Sequence, residues 1–443
     1  MFINSVLDLV HKFTGKIYDN SIILQNIDKV VFAIIIALFV LSTFVSSDMI
    51  GFLALGVVIL TFVRVIFNKT DSFKCEKFEL FLLAFFMLTL VSLAGSSLFH
   101  LSLKGFMKTF TYIAFYLSVV HHLKYNPKNI LPILTTIALC VSAESLIGIT
   151  QSFAKVDEIS GWQDVSNLNP EEVMTRVYGT LQPLNPNLLG GYFVMTIPAV
   201  IGLCGYFLYE KRYIIAGVFG LLSLVACTAL FLTGCRGAYL GLFTILGTLF
   251  LISLKFFWNN YKKLYLSFVS AVLALGTLAI MTVTSLRVRV LSIFAMRSDS
   301  SNSFRFNVYK SSIQMFKDNW LVGIGQGNQN FREIYGLYMK TGFDALSAYN
   351  IYLETAVESG VFALAAFLGF LISILKDAIQ FIKNSTDLRT VIIVSIPVMS
   401  VLGTMVHGFV DTVFFRPQLQ IVFWTMIAIL SNRLYSAENV CLK

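Results

Sequence analysis

The sequence predicts an all-α, polytopic integral membrane protein, and three observations carry that prediction. Of its 443 residues 57% are hydrophobic and only 13% are charged, too little polar surface for a soluble chain of this length. The apolar residues fall into about twelve runs, each close to the ~20 residues that an α-helix needs to cross hydrocarbon. Short basic turns separate most of these runs, and two connections are long. Backbone groups inside a bilayer find no water to bond, so the spanning runs are helices rather than open strands.

In order, the spans read 30–46, 49–67, 79–95, 103–120, 129–150, 187–208, 213–233, 236–257, 263–285, 353–375, 389–409 and 417–432. The leading segment 1–29 is amphipathic and has no small-residue cleavage site, so the first span is expected to stay as an anchor. The positive-inside rule orients the rest. With the N-terminus and the tail 433–443 in the cytoplasm, Arg64, Lys77, Lys124, Lys128, Lys211, Arg212, Lys255, Lys262, Lys376, Lys383 and Arg433 all fall on the inner side. The opposite turns near 47–48, 96–102 and 233–236 are almost free of lysine and arginine. The net charge of +9 is thus largely a topology signal; there is no basic domain, and no nucleic-acid partner is expected. The six cysteines (Cys75, Cys140, Cys204, Cys227, Cys235 and Cys441) lack metal-site spacing, so no disulfide framework, metal or cofactor is expected.

Two connections, 151–186 and 286–352, fall on the outer side and exceed what a tight bundle requires, which marks them for function. The second holds Arg287, Arg289, Arg297, Arg305, Lys310, Lys317, Arg332 and Lys340; a loop of this size is translocated largely regardless of charge. Within it, Phe304 to Trp320 has helical spacing, with Val308, Ser312, Met315 and Phe316 on one face. This stretch is expected to lie as an amphipathic helix on the membrane surface. Gly323, Gly325 and Gly327 then break the chain. With no strand before them they are not a dinucleotide fingerprint, and they form either a plain turn or a nest of amides for an anion.

Chemistry-bearing residues gather at the outer ends of the spans. In Thr233-Gly234-Cys235-Arg236-Gly237-Ala238 an arginine opens a new apolar helix. It either snorkels to the interface or binds an anion, and its planar fork suits a phosphate. His407 and Asp411, four apart near the end of the eleventh span, are expected to share a helix face, as a base with an orienting acid or as a structural hydrogen bond. Glu354 and Glu358 are one turn apart at the start of the tenth, placed to accept a proton or pair with an arginine. Glu144 lies deep in the fifth span, where a carboxylate must be protonated or paired. In Asn185-Pro186-Asn187, with Pro183 just before, the prolines hold the approach extended and Asn187 is expected to cap the sixth helix, leaving Arg176 to meet a ligand.

Three elements, in this order along the chain, resemble the O-antigen ligase and Wzy-type polymerase superfamily. Thr233 to Ala238 is similar to its Ser-Arg-Gly-Ala element. Arg305-Phe306 continuing through Asp318-Asn319-Trp320-Leu321-Val322-Gly323-Ile324-Gly325-Gln326-Gly327-Asn328 is similar to its arginine, amphipathic helix and glycine turn. Ala348-Tyr349-Asn350-Ile351-Tyr352-Leu353-Glu354 resembles the third. The resemblance implies transfer of a glycan from an undecaprenyl-diphosphate carrier to a glycan or glycolipid acceptor at the outer face of a bacterial inner membrane. The reaction it implies is a metal-independent inverting displacement, with Arg236 and Arg305 stabilising charge on the departing diphosphate.

Residues and resemblance together make Arg236, Arg305, Tyr349, His407 and Asp411 the catalytic candidates. Arg176, Asn187, Gly325, Asn328, Asn350 and Glu354 are the substrate-binding candidates. One position departs from the family: where the ligases carry a histidine as acceptor-activating base, this chain has Tyr349, and a phenol with a pKa of about 10 is protonated at neutral pH.

The first outer loop, through Gly161-Trp162-Gln163-Asp164 and Thr175 to Leu189, resembles a branch named as putative inorganic-carbon (bicarbonate) transporters, as does Ser347-Ala348-Tyr349. Two readings therefore stand beside glycosyl transfer. One is transport of bicarbonate or another anion, permitted by the helix count and by Glu144, although two long ordered loops are not what alternating access requires and no paired broken helices are visible. The other is glycolipid binding without catalysis, motivated by Tyr349.

Overall fold

A computed structural model describes residues 10–11, 14–15, 17–68, 76–153, 176–294 and 300–441. Cys75, the Gly161 to Asp164 motif, Thr175 and Arg297 lie outside the described residues. No strand occurs among those described. The first nine major helices are α1 (Ile27–Leu41), α2 (Ser47–Phe67), α3 (Lys77–Gly95), α4 (Phe99–Tyr125), α5 (Ile130–Phe153), α6 (Pro186–Tyr209), α7 (Tyr213–Leu232), α8 (Arg236–Asn259) and α9 (Tyr261–Thr282). The last two are separated by a kink at Tyr261. Three helices, α10 (Thr284–Leu291), α11 (Ser300–Asp318) and α12 (Asn328–Tyr335), belong to the second long connection. Then come α13 (Ile351–Asn384), α14 (Leu388–His407) and α15 (Pro417–Cys441).

Each of the twelve spans read from the sequence falls on a helix, α1 to α9 and α13 to α15. Among the described residues nine helices are long and apolar enough to cross a membrane: α2, α3, α5 to α9, α13 and α14. The other three fall short for physical reasons. α1 has 15 residues, while α4 and α15 spend positions on polar side chains turned into the bundle, among them Ser102 and Ser118 on α4 and Gln418, Gln420 and Thr425 on α15. Of these nine, α6 and α14 are the most buried, and α15 is buried at every residue from Pro417 to Asn432; these three form the centre, while α9 keeps its apolar surface exposed. Close approach at the centre uses small residues, as membrane helices do in the absence of a hydrophobic drive between them. A Cβ on Gly202 of α6 would lie 2.2 Å from Ile396 of α14.

The second connection carries a small core of its own. Val308 and Met315 of α11 bury against Ile324, Phe331, Tyr335, Ala345, Ala348 and Val357. The face of α11 that carries Val308 and Met315 is therefore covered by protein, with Phe331 and Tyr335, four apart on α12, supplying rings to that core, while Phe306 and Ile313 stay exposed. This loop fold is keyed into α13. Gly360 has φ +82 inside that helix, and the break lets Val361 N–H donate to Trp320 O at 2.9 Å. Only glycine fits here, because a Cβ would stand 2.2 Å from Leu321 O. Ile324 N–H and Gly325 N–H donate to Val357 O and Glu358 O, each at 3.0 Å.

The described end of the first connection is a strap over the same end of the bundle. Val177 N–H donates to Leu232 O at 3.1 Å. Gln151 Oε1 accepts from the amides of Tyr178 and Gly179. Glu144, buried in α5, accepts from Thr180 N–H at 3.0 Å and from its hydroxyl. The midspan carboxylate thus anchors the strap.

Candidate functional site at the turn between α7 and α8

The turn Thr233-Gly234-Cys235 reverses the chain between two spans, and Gly234 makes it possible with φ +61. Its carbonyls point at guanidinium groups from two distant segments. Arg176, on the strap, donates from Nε to Thr233 O at 2.8 Å and from Nη2 to Asn187 Oδ1 at 2.5 Å. Arg289, on α10, donates from Nε to Gly234 O at 2.8 Å. Arg236 opens α8 directly after the turn, is buried, and donates from Nη1 to Ser292 O and Ser292 Oγ, both at 3.2 Å. Ser292 Oγ in turn donates to Arg289 O at 2.7 Å. Burial first, then the neighbouring Arg176 and Arg236, brings the Arg289 guanidinium down to about 10. Arg176 is lowered as well, chiefly by burial, with Arg305 acting in the same direction.

Asp411 supplies negative charge to this group. Its Oδ1 accepts from Thr412 N–H at 2.7 Å and Val413 N–H at 3.1 Å, and its Oδ2 lies 3.6 Å from Arg305 Nη2. Arg305, projecting from α11, also stands 5.8 Å from the centre of the Tyr349 ring. Tyr349 sits in a left-handed conformation with φ +50, and its carbonyl accepts from Tyr309 OH at 3.2 Å. Burial first, with Asp411 adding to it, pushes the Tyr349 phenol up to about 12. It remains a neutral hydrogen-bonding group at physiological pH and is no general base.

His407 does not pair with Asp411 as the i,i+4 spacing predicts. α14 ends at His407 and a turn begins at Gly408, so residue 411 no longer shares a helix face with it. Instead His407 Nε2 lies 3.6 Å from Cys235 Sγ. The imidazole is buried, in a slot made by two glycines. A Cβ on Gly191 would be 3.1 Å from its Cε1, and one on Gly237 would be 2.5 Å from its Cδ2.

The remaining candidates divide. Asn187 faces Arg176; the helix cap is Asn185, whose Oδ1 accepts from Asn187 N–H at 2.7 Å, with Pro186 as the first helical residue. Asn350 caps α13, accepting from Leu353 N–H at 2.8 Å, and its amide donates to Phe409 O at 2.9 Å. Glu354 is buried and accepts from Ala348 N–H at 3.0 Å. Gly325 stands away from the arginines and spends its amide on Glu358 O, while Gly327 N–H donates to Glu358 Oε1 at 2.8 Å. The glycine turn is therefore a docking device for the loop and leaves those two amides no anion to hold. Asn328 is exposed and donates to Leu346 O at 3.1 Å. Two participants escaped the sequence reading: Arg289, one of many loop cations, and Cys235, a small residue in a motif read for its arginine. A basic residue three positions before a serine in a short helix gave no signal of its own.

The arginine group thus gathers what a diphosphate requires, several forked donors from separate elements held around one turn. Residues 220–368 match the family model described as O-Antigen ligase, a stretch containing Arg236, Arg289, Arg305, Tyr349 and Glu354 and ending before His407 and Asp411. A search of curated proteins gives no match.

Proposed function

We propose that the protein transfers a glycan from a polyprenyl-diphosphate carrier to an acceptor hydroxyl, at the outer face of a bacterial inner membrane. The observation that supports this most is the convergence of Arg176, Arg236 and Arg289 on the turn at 233–236, with Arg305 reached through Asp411. In this reading the acceptor oxygen attacks the anomeric carbon opposite the leaving group. The new C–O bond forms as the bond from that carbon to the diphosphate oxygen breaks, and the lipid diphosphate keeps the electron pair. Arg236 and Arg305 stabilise the charge that develops on it.

The acceptor's proton passes to Asp411. Two backbone amides hold one of its oxygens, and the other faces Arg305. Tyr349 is too weak a base. His407 is enclosed, with its Nε2 towards Cys235, and takes a supporting place. Transport finds less support, because the carboxylate that motivates it, Glu144, is engaged by Thr180.

The test incubates purified protein with lipid-linked oligosaccharides and a panel of acceptors and measures release of the lipid diphosphate. Arg236→Ala and Arg305→Ala are each expected to abolish release without loss of expression. Full release by both variants overturns the proposal.

A further inference from the structure

Arg289 has no assigned part in the transfer just described, yet it is the least satisfied cation of the group. Its Nε is fixed on Gly234 O at 2.8 Å. Neither of its terminal nitrogens donates to any described residue, and no carboxylate among the described residues forms an ion pair with it. It is nevertheless only partly exposed and stands beside two further guanidinium groups. Bringing like charges together away from water is unfavourable unless an anion joins them. Arg176 repeats the arrangement one carbonyl earlier, with Nε on Thr233 O. Two forks are thus held by the same peptide turn through their Nε atoms, which sets the planes of both and leaves three of their four terminal nitrogens for a ligand, since Arg176 commits Nη2 to Asn187.

We propose that Arg289, oriented by its bond to Gly234 O and flanked by Arg176 and Arg236, is a second anchor for the donor's diphosphate, fixing one phosphate while Arg236 and Arg305 act on the one that leaves. This rests on the transfer reading for the identity of the donor; the anion site itself does not. The short helix α10 has the role of delivering Arg289: Arg236 ties it down through Ser292, and Ser292 Oγ closes on Arg289 O.

The experiment measures binding of inorganic pyrophosphate to the full chain in nanodiscs of zwitterionic lipid, and repeats it with phosphatidylglycerol present. Wild-type protein is expected to bind pyrophosphate, and Arg289→Gln to bind at least tenfold more weakly with an unchanged melting temperature. Arg289→Lys, which keeps the charge but loses the fork, falls between them. Arg332→Gln, which disturbs only the exposed pair with Asp344, binds as the wild type. If Arg289→Gln fails to fold, Arg289→Lys decides: binding equal to wild type overturns the proposal, weaker binding supports it.

Absence of wild-type binding overturns it, as does unchanged affinity in Arg289→Gln. Arg289-dependent retention of phosphatidylglycerol without pyrophosphate binding also overturns it, since the cluster is then a headgroup anchor. Arg289-dependent pyrophosphate binding by a protein that transfers no glycan leaves the anion site standing while the transfer reading falls. Transfer with an unaffected Arg289→Gln does the reverse.

Discussion

Arg64 and Arg236 are both buried arginines at helix ends, at opposite ends of the bundle, and their surroundings could hardly differ more. Arg64, in the last turn of α2, has Asp28 Oδ1 2.5 Å from its Nε, His121 Nε2 3.3 Å from its Nη1, and the Tyr125 ring centre 4.3 Å away. A carboxylate, an imidazole and an aromatic face satisfy it. Arg236 donates, among its contacts, to the carbonyl and hydroxyl of Ser292, and it stands beside Arg289. A buried arginine is therefore not a site in itself. The first joins one arginine to a carboxylate, and the second gathers three arginines around one turn.

The comparison is sharpened most by exchanging the two losses. Arg236→Ala is expected to lower glycan transfer by about 100-fold or more, the scale of removing a group that stabilises transition-state charge, with little change in melting temperature. Arg64→Ala is expected to do the opposite: it leaves Asp28 unpaired and costs about 2–4 kcal/mol of stability, at or below the range for fully buried pairs because Asp28 keeps some water contact. Thermal melts and lipid-diphosphate release, measured on both variants, check this. If Arg64→Ala abolishes transfer at unchanged stability, the contrast fails.

Next in size, Asp411→Asn is expected to slow transfer by about 100-fold while donor binding persists, the lower end of what a positioned acid–base group contributes; turnover against donor affinity separates the two. Gly237→Val would force atoms into the His407 ring, and such overpacking costs about 1–3 kcal/mol in a thermal melt. The smallest effect belongs to Tyr349→Phe. A phenol raised to about 12 by burial stays protonated in the folded state, so it releases no proton until pH rises towards that value. Transfer by wild type and Tyr349→Phe should therefore show the same pH profile from pH 6 to 10. A limb that disappears in the variant would make Tyr349 an ionising participant.

The spans were legible because hydrocarbon imposes a length and a composition that few other environments demand. Arg236 was legible for the related reason that a charge at the start of an apolar run is costly. What the sequence hid depends on where helices stop and what loops do afterwards. Spacing four residues apart predicts a shared face only while the helix continues, and α14 ends at His407. The apolar stripe of α11 was visible as a stripe, but nothing in it tells whether lipid or Phe331 and Tyr335 lies opposite. Arg289 was one cation in a loop rich in them; its distinction is a bond to Gly234 O, a contact across 55 positions of chain. Asn187 was expected to cap α6, but the cap is Asn185 two positions earlier, and Asn187 Oδ1 accepts from Arg176.

The break at Gly360 has a further consequence. Because Trp320 and Leu321 lie in the gap it opens, and Ile324 and Gly325 bond to the residues just before it, the large loop is riveted to a membrane helix at a point of backbone-to-backbone contact. Loop and helix are thereby mechanically joined: a displacement of residues 320–325 that keeps these bonds carries the segment around Gly360 with it.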